Sequence, residues 1–554
     1  MDTISKRKNR GGLVVFLTPL MLLCVLSKGA HVAAQDVLTW HNDSARTGQN
    51  LEERTLTLQN VNPRTFGKLF TIKVDGKVDA EPLYIARIEL SHEGLRNVLF
   101  VATEHDSLYA FDADTGKKFW QVSLLKAGET PSDDIDCGQI VPEIGITSTP
   151  VIDLHRGPHG TIYVVAMSKD PQGHYIQRLH ALDLRSGGEE FDGPAEIRAT
   201  FPGTGAASHG GTAVFDPKQY AERAALLLVN GVIYTTWTSH CDHNPYNGWI
   251  IAYDAATLQR TAALDITPNG EEGAIWQSGA GPATDAEGNI YLLSANGSFD
   301  TILNAQGFPS QGDFGNSFLK IAASGGRLSV ADYFTPFNVI SENSLDMDLG
   351  SGGPVVLPDM KDASGKTRRL VAGAAKDRNI YLLDRDAMGK FNPQGNQNIY
   401  QELHQALKGT VYRGQPAYFN GRLYCSSADD FLYEFQFVNA RLVEQPISHT
   451  ANKFVYPGAA PSISANGSRN AIVWAAENGG RDQPGSAVLR AYDASNLAHE
   501  LYDSNEAPAD RDHFGTGNKF ITPMIAHGKV YVGTTDGVGV FGLLRDSGSQ
   551  APRR

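Results

Sequence analysis

Residues 97–120 read NVLFVATEHDSLYAFDADTGKKFW. Two short β-rich runs flank a polar turn, and Asp112 with Thr115-Gly116 then reverses the chain before Phe119-Trp120. The same phrase returns as GTIYVVAM (160–167) with IQRLHALDLRSG (176–187), and as GVIYTTWT (231–238) with GWIIAYDAATL (248–258). GNIYLLSANG (288–297) precedes NSFLKIAASGG (316–326), and RRLVAGAAKDRNIYLLDRD (368–386) and GRLYCSSADDFLYEF (421–435) follow. NAIVWAAENGG (470–480) with AVLRAYDASN (487–496), and GKVYVGTTDGVGVFG (528–542), bring the series to eight units.

A third short run opens most units on a proline: Pro82, Pro150, Pro282, Pro354, Pro416, Pro461 and Pro523. Proline donates no hydrogen bond and is tolerated at the first residue of a strand. The third unit lacks it, and Ala224 to Val229 supply the run instead. Short strands in fours, repeated without helices between them, predict an all-β, eight-bladed β-propeller, with seven blades as the alternative if the third unit is mis-split. The last unit ends near Leu544, one outer strand short, while FGKLFTIKV (66–74) stands unused before the first. Pairing the two closes the ring through an N-terminal strand and removes an exposed edge.

Composition agrees. The 554 residues are 41% hydrophobic and 20% charged, which excludes wholesale disorder. Lys6, Arg7, Lys8 and Arg10, the apolar stretch Gly12 to Leu26 and the small residues Val32-Ala33-Ala34 read as an export leader over 1–34. One propeller domain is expected over 35–545 and a disordered tail over 546–554, in a protein that is exported, periplasmic or secreted. Of 48 Lys and Arg against 61 Asp and Glu, the leader holds five basic residues and one acidic, so the remainder is more acidic still. No basic stripe offsets that charge, which argues against nucleic acid as a partner. Past the leader stand Cys137, Cys241 and Cys425. Cys137 and Cys241 lie in polar loops where a bridge is permitted by export, and they are the expected disulfide. The absence of CxxCH excludes a covalent c-type haem.

Ala110-Phe111-Asp112-Ala113-Asp114-Thr115-Gly116-Lys117-Lys118-Phe119-Trp120 fits A-x-D-x-x-T-G-x-x-x-W, with echoes at Ala181-Leu182-Asp183, Ala252-Tyr253-Asp254 and Ala491-Tyr492-Asp493. This resembles the repeat of quinoprotein dehydrogenases, eight-bladed propellers that bind pyrroloquinoline quinone (PQQ), and of secreted PQQ-like propellers; the resemblance spans roughly 66–544. It implies a channel holding PQQ with Ca²⁺, and oxidation of an alcohol or sugar with electrons passed to a separate acceptor. By the same resemblance Trp276 is the cofactor's stacking ring, Asn296 a Ca²⁺ ligand, Asp348 the catalytic base and a metal ligand, and Lys376 the cation over the quinone oxygen. Asp170 fits the family's ligand glutamate only with a two-residue shift. The family's adjacent cysteine pair is absent, Cys137 being followed by Gly138, and its arginine is replaced around Glu143. Three other readings remain: a non-catalytic binding or assembly propeller, a carbohydrate-active propeller hydrolase resting on scattered Asp and Glu, and a transition-metal site from His209, His240, Asp242 and His243. Asp313 reads as a turn residue. No nucleophile elbow, P-loop or HExxH is present.

Overall fold

The structure, a computed structural model, describes residues 36–90, 93–479 and 485–544. The expected leader and C-terminal tail lie outside the described residues. Eight sheets of four or five strands follow one another along the chain. Sheet 1 runs Leu83–Leu90, Gly94–Ala102, Ser107–Asp112 and Lys118–Ser123, each strand antiparallel to the next. Sheets 2 to 7 repeat that meander, with second strands at Thr161–Lys169, Val232–Ser239, Ile290–Leu293, Leu370–Ala374, Arg422–Ser426 and Arg469–Glu477. In sheet 8, Met524–Ala526, Lys529–Gly533 and Gly537–Leu543 are completed by Phe66–Lys73, registered from Phe66 opposite Leu543 to Lys73 opposite Gly537. Among the described residues no helix is long and apolar enough to cross a membrane.

The turn chemistry explains the hairpins. Asp112 accepts from the backbone N–H groups of Asp114 and Thr115, and Gly116 adopts φ 74°. Asp183, Asp254 and Asp493 each cap the corresponding turn in the same way. Trp120 leaves its own sheet and donates to the Leu184 carbonyl of sheet 2 at 3.2 Å. A Cβ on Gly187 would meet its ring at 2.9 Å, so the small residue makes room for that packing.

Apolar clusters join each sheet to the next. Leu227 and Ile250 of sheet 3 pack with Leu292 and Leu319 of sheet 4, and Trp474 and Leu489 of sheet 7 with Val530 and Phe541 of sheet 8. Sheet 8 then shares Tyr531 and Val540 with Leu99 and Phe100 of sheet 1. The last sheet thus packs on the first, as a ring requires.

What organises the centre is the segment before the first unit. Leu38 O accepts from Ile152 N, Ser44 O from Thr284 N, Ala45 O from Val356 N, Thr47 O from Tyr418 N and Gly48 O from Ile463 N. Val37 bridges Tyr84, Arg46 donates to Leu226 O, and Asn50 donates to Ile525 O. These partners belong to, or directly precede, the first strand of every one of the eight sheets. Residues 37–50 can reach all of them only if the first strands converge on one axis, which this segment plugs. Arg46 is fully buried and satisfied: Nε donates to Pro282 O, Nη1 to Thr39 Oγ1 and Trp40 O, Nη2 to Leu226 O.

Candidate functional site

The links that lead into the first strands, and the ends of the second strands, enclose a cavity of about 520 Å³. Links contribute Gly138, Arg223, Trp276, Asp348, Arg413 and Lys519; second-strand ends contribute Cys241 and Asp242, Asn296, and Lys376. Trp40 of the plug packs on Ala225 and Ala280, beside those links. The plug therefore backs the cavity.

Four of the residues chosen from sequence, Trp276, Asn296, Asp348 and Lys376, meet here. Lys376 Nζ lies 2.7 Å from Asp348 Oδ1 and 2.6 Å from Asp346 Oδ1, while Asn296 Nδ2 donates to Asp346 Oδ1 at 2.8 Å. Asp348 is buried, and beyond Lys376 no donor among the described residues reaches its carboxylate. Burial pushes its carboxyl above the usual range against the pull of Lys376. Burial alone would lower Lys376; the two carboxylates override it and hold the ammonium charged well above its ordinary range.

Cys137 and Cys241 form the expected disulfide, with Cα atoms 5.4 Å apart, and Cys425 is a buried free thiol. The bridge joins two cavity loops, so the cavity has a disulfide at its wall although the family's adjacent cysteine pair is missing.

Asp170 does not join this set. Its carboxylate accepts from the backbone of Gln172 and His174 and from His174 Nδ1, closing an exposed turn outside the cavity. Of the three residues of the metal expectation, Asn296, Asp348 and Asp170, only the first two line the cavity. A hard divalent cation takes six or more oxygens, and here a lysine ammonium already sits between the two cavity aspartates. Asn296 Oδ1 is buried without a partner, but it is one oxygen.

The histidine cluster also separates. His240 is buried on Tyr220 O, and burial pushes its pKa down to about 4. Asp242 accepts from Tyr246 and faces the cavity, whereas His209 sits on the small strand Ser208–His209 of a separate three-stranded sheet. The His243 carbonyl accepts from Gln219, and Asp313 accepts from Asn269 N at 2.9 Å away from the cavity. Among the described residues no group of three or more His, Cys, Asp or Glu is arranged to hold a metal.

Sequence reasoning missed the cavity's other cations. Arg223 lies 4.8 Å from the Trp276 ring centroid and 5.7 Å from that of Phe520. Its Nε has no hydrogen-bond partner, and burial brings its pKa down to about 10. Arg413, equally buried, donates to Lys519 O and Ile521 O but leaves Nε unpaired. The signal was available: Arg413 stands three residues before Pro416, and Arg223 stands three before Leu226, which takes the place of a proline.

No family model and no curated protein matches the chain. Solved structures do. A quinohemoprotein alcohol dehydrogenase from Pseudomonas putida HK5 superposes with TM-score 0.61 at 14% identity, over 94% of this chain and 82% of that one. The quinohemoprotein alcohol dehydrogenase from Comamonas testosteroni gives 0.58 at 15% over 94% and 82%, and a europium-containing methanol dehydrogenase gives 0.58 at 12% over 92% and 98%. At such identities the likeness establishes the fold alone, a β-propeller like that of these dehydrogenases.

Proposed function

We propose that the eight sheets are the blades of one closed propeller, exported to the periplasm or beyond, whose cavity binds PQQ and oxidises an alcohol or sugar hydroxyl. The observation that carries this is the convergence of Trp276, Asn296, Asp348 and Lys376, from the fourth and fifth sheets and the links that lead into them, on one cavity. The residues present suit a planar tricarboxylate quinone: Arg223, Arg413 and Lys519 supply cations for carboxylates, and two of the three keep a buried, unpaired Nε. Trp276 supplies a stacking ring beside Arg223.

Bound quinone would supply the two-electron acceptor. The chain's own residues do the rest. Asp348, lifted by burial, accepts the hydroxyl proton of the substrate, since a buried carboxylate with a raised pKa is a stronger base than one in water. Lys376 bridges Asp348 and Asp346, so it holds the base in one orientation and offers positive charge where a quinone oxygen gains electron density. The electron acceptor is a separate molecule.

The second reading, a non-catalytic binding or assembly propeller, is favoured by that same ion pair, because a base fixed on lysine is a quiet one. Titrating PQQ into the purified protein separates the two. Saturable binding with quinone-dependent alcohol oxidation supports the enzyme; no binding supports the scaffold.

A further inference from the structure

We propose that a groove opening beside the cavity binds an oxyanion, so that the substrate of the proposed reaction is a hydroxylated acid, a carboxylate or a phosphate ester. The inference rests on that reading only for the position of the hydroxyl at Asp348. The groove, about 550 Å³, shares Asp346, Lys376 and Tyr412 with the cavity and runs outward between sheets 5 and 6. Beyond the shared residues its cations are Arg378, Lys408 and Lys453, contributed by the turn after Leu370–Ala374 and by the links before sheets 6 and 7. Among the described residues none of the three has a carboxylate within ion-pairing distance; Lys453 instead rests 5.3 Å from the Phe431 ring centroid.

The carboxylates of the groove are largely committed. Asp346 is held by Lys376 and Asn296. Asp430 is buried and accepts from Lys408 N, Gly409 N, Ser427 Oγ and Tyr433 Oη. That leaves Asp429, exposed in a turn, against three uncommitted cations. In a chain of formal charge −13, such a wall is not expected from composition and concentrates anions locally.

The backbone ties together the segments that carry two of the cations. Arg378 adopts φ 71°, a conformation that costs a non-glycine residue energy and that clusters at ligand sites. Its N–H donates to Ala375 O and its carbonyl accepts from Leu407 N at 3.1 Å, which ties the turn carrying Arg378 to the link carrying Lys408. Segments tied in this way bring a guanidinium fork and an ammonium to one groove, and the two together suit the oxygens of one carboxylate or phosphate. The ligand's other end then points along the groove towards Lys376 and Asp348.

Calorimetry on the full-length protein, without quinone, with glucuronate, glucose 6-phosphate and glucose as probes, tests this. At least one acid is expected to bind about tenfold or more tightly than glucose, the worth of one charge-assisted hydrogen bond, and which acid binds decides between carboxylate and phosphate. An Arg378→Gln/Lys408→Gln double variant should lose that preference while keeping the wild-type melting temperature and PQQ affinity. The proposal is overturned if neither acid outbinds glucose, or if the double variant keeps the preference. It is equally overturned if the variant loses PQQ by the same factor, which would assign the groove to the quinone. A flat PQQ titration alongside retained acid binding refutes the reaction and leaves the anion site standing.

Discussion

The two ends of the channel are built from the same first strands and solve opposite problems. At the plugged end, Arg46 is buried with all its nitrogens donating to oxygens, and the plug's backbone meets the strands of six sheets in direct hydrogen bonds. At the open end, Arg223 is buried with no hydrogen bond to its Nε, Arg413 keeps an idle Nε, and Asn296 keeps an idle Oδ1. Buried polar groups left unpaired cost roughly 1–3 kcal/mol each. A fold that satisfies Arg46 completely and leaves Arg223 wanting has put structure at one end and recognition at the other.

Removing the plug is expected to have the largest effect. Deleting residues 36–50 should abolish cooperative thermal unfolding near the wild-type temperature, because the first strands lose their common partner and the channel floods. Deleting through residue 76 should be at least as severe, since sheet 8 then loses Phe66–Lys73 as well. A plugless protein that melts as wild type would show the segment to be decoration.

At the open end the largest effect belongs to chemistry. Asp348→Asn keeps size and removes the base, and should slow quinone-dependent turnover by about 10²–10⁴ with PQQ affinity nearly unchanged by calorimetry. Loss of binding together with turnover would mean that Asp348 holds the ligand and is not the base.

A matched pair of arginine variants sharpens the contrast. Arg46→Met should cost about 3–5 kcal/mol in denaturant unfolding, because it strips a buried charge from its partners. Arg223→Met should be neutral or stabilising, since that charge is poorly compensated, yet it should weaken PQQ binding. Equal destabilisation by both would erase the distinction between the ends.

The smallest effect is in pH. Burial raises Glu81, which accepts from His41 N at the plug, to about 8, and lowers His41 to about 4. Between pH 4.5 and 6.5 the unfolded chain releases the Glu81 proton while the folded chain keeps it, and this loss is offset by His41, whose unfolded form sheds its proton over the same range. Above pH 6.5 only the Glu81 term remains, so stability falls towards pH 8; below 4.5 the His41 term makes it fall as well. Glu81→Gln should flatten the alkaline side in urea titrations at pH 6.5 and 8. An unchanged slope would place the titration elsewhere.

The repeated strands were legible because alternation and turn residues are local signals: Asp112 and Gly116 state their hairpin within five residues. The closing strand was legible for the same reason, read as 66–74 and found as Phe66–Lys73. The plug was not. Residues 37–50 show no period, and their partners are backbone groups up to several hundred residues away. In the cavity, Asn296 and Lys376 could be placed because the family resemblance puts a functional residue just past a second strand, and each stands two or three residues past one. Asp170 failed because an aspartate two residues before a glutamine and four before a histidine closes its own turn. His209 and His240 stand apart because His209 lies on a separate three-stranded sheet, whereas His240 is buried just past the sheet 3 strand Val232–Ser239.

Under the proposed function the open end is a quinone site organised by Arg223, Arg413, Lys376 and Trp276 without a divalent cation. Titrating PQQ into the protein by calorimetry, once with Ca²⁺ and once with a chelator, measures it directly. Saturable binding near one quinone per chain, equal in the two titrations, is the expected result. A flat titration in both, or binding that appears only with Ca²⁺, contradicts it.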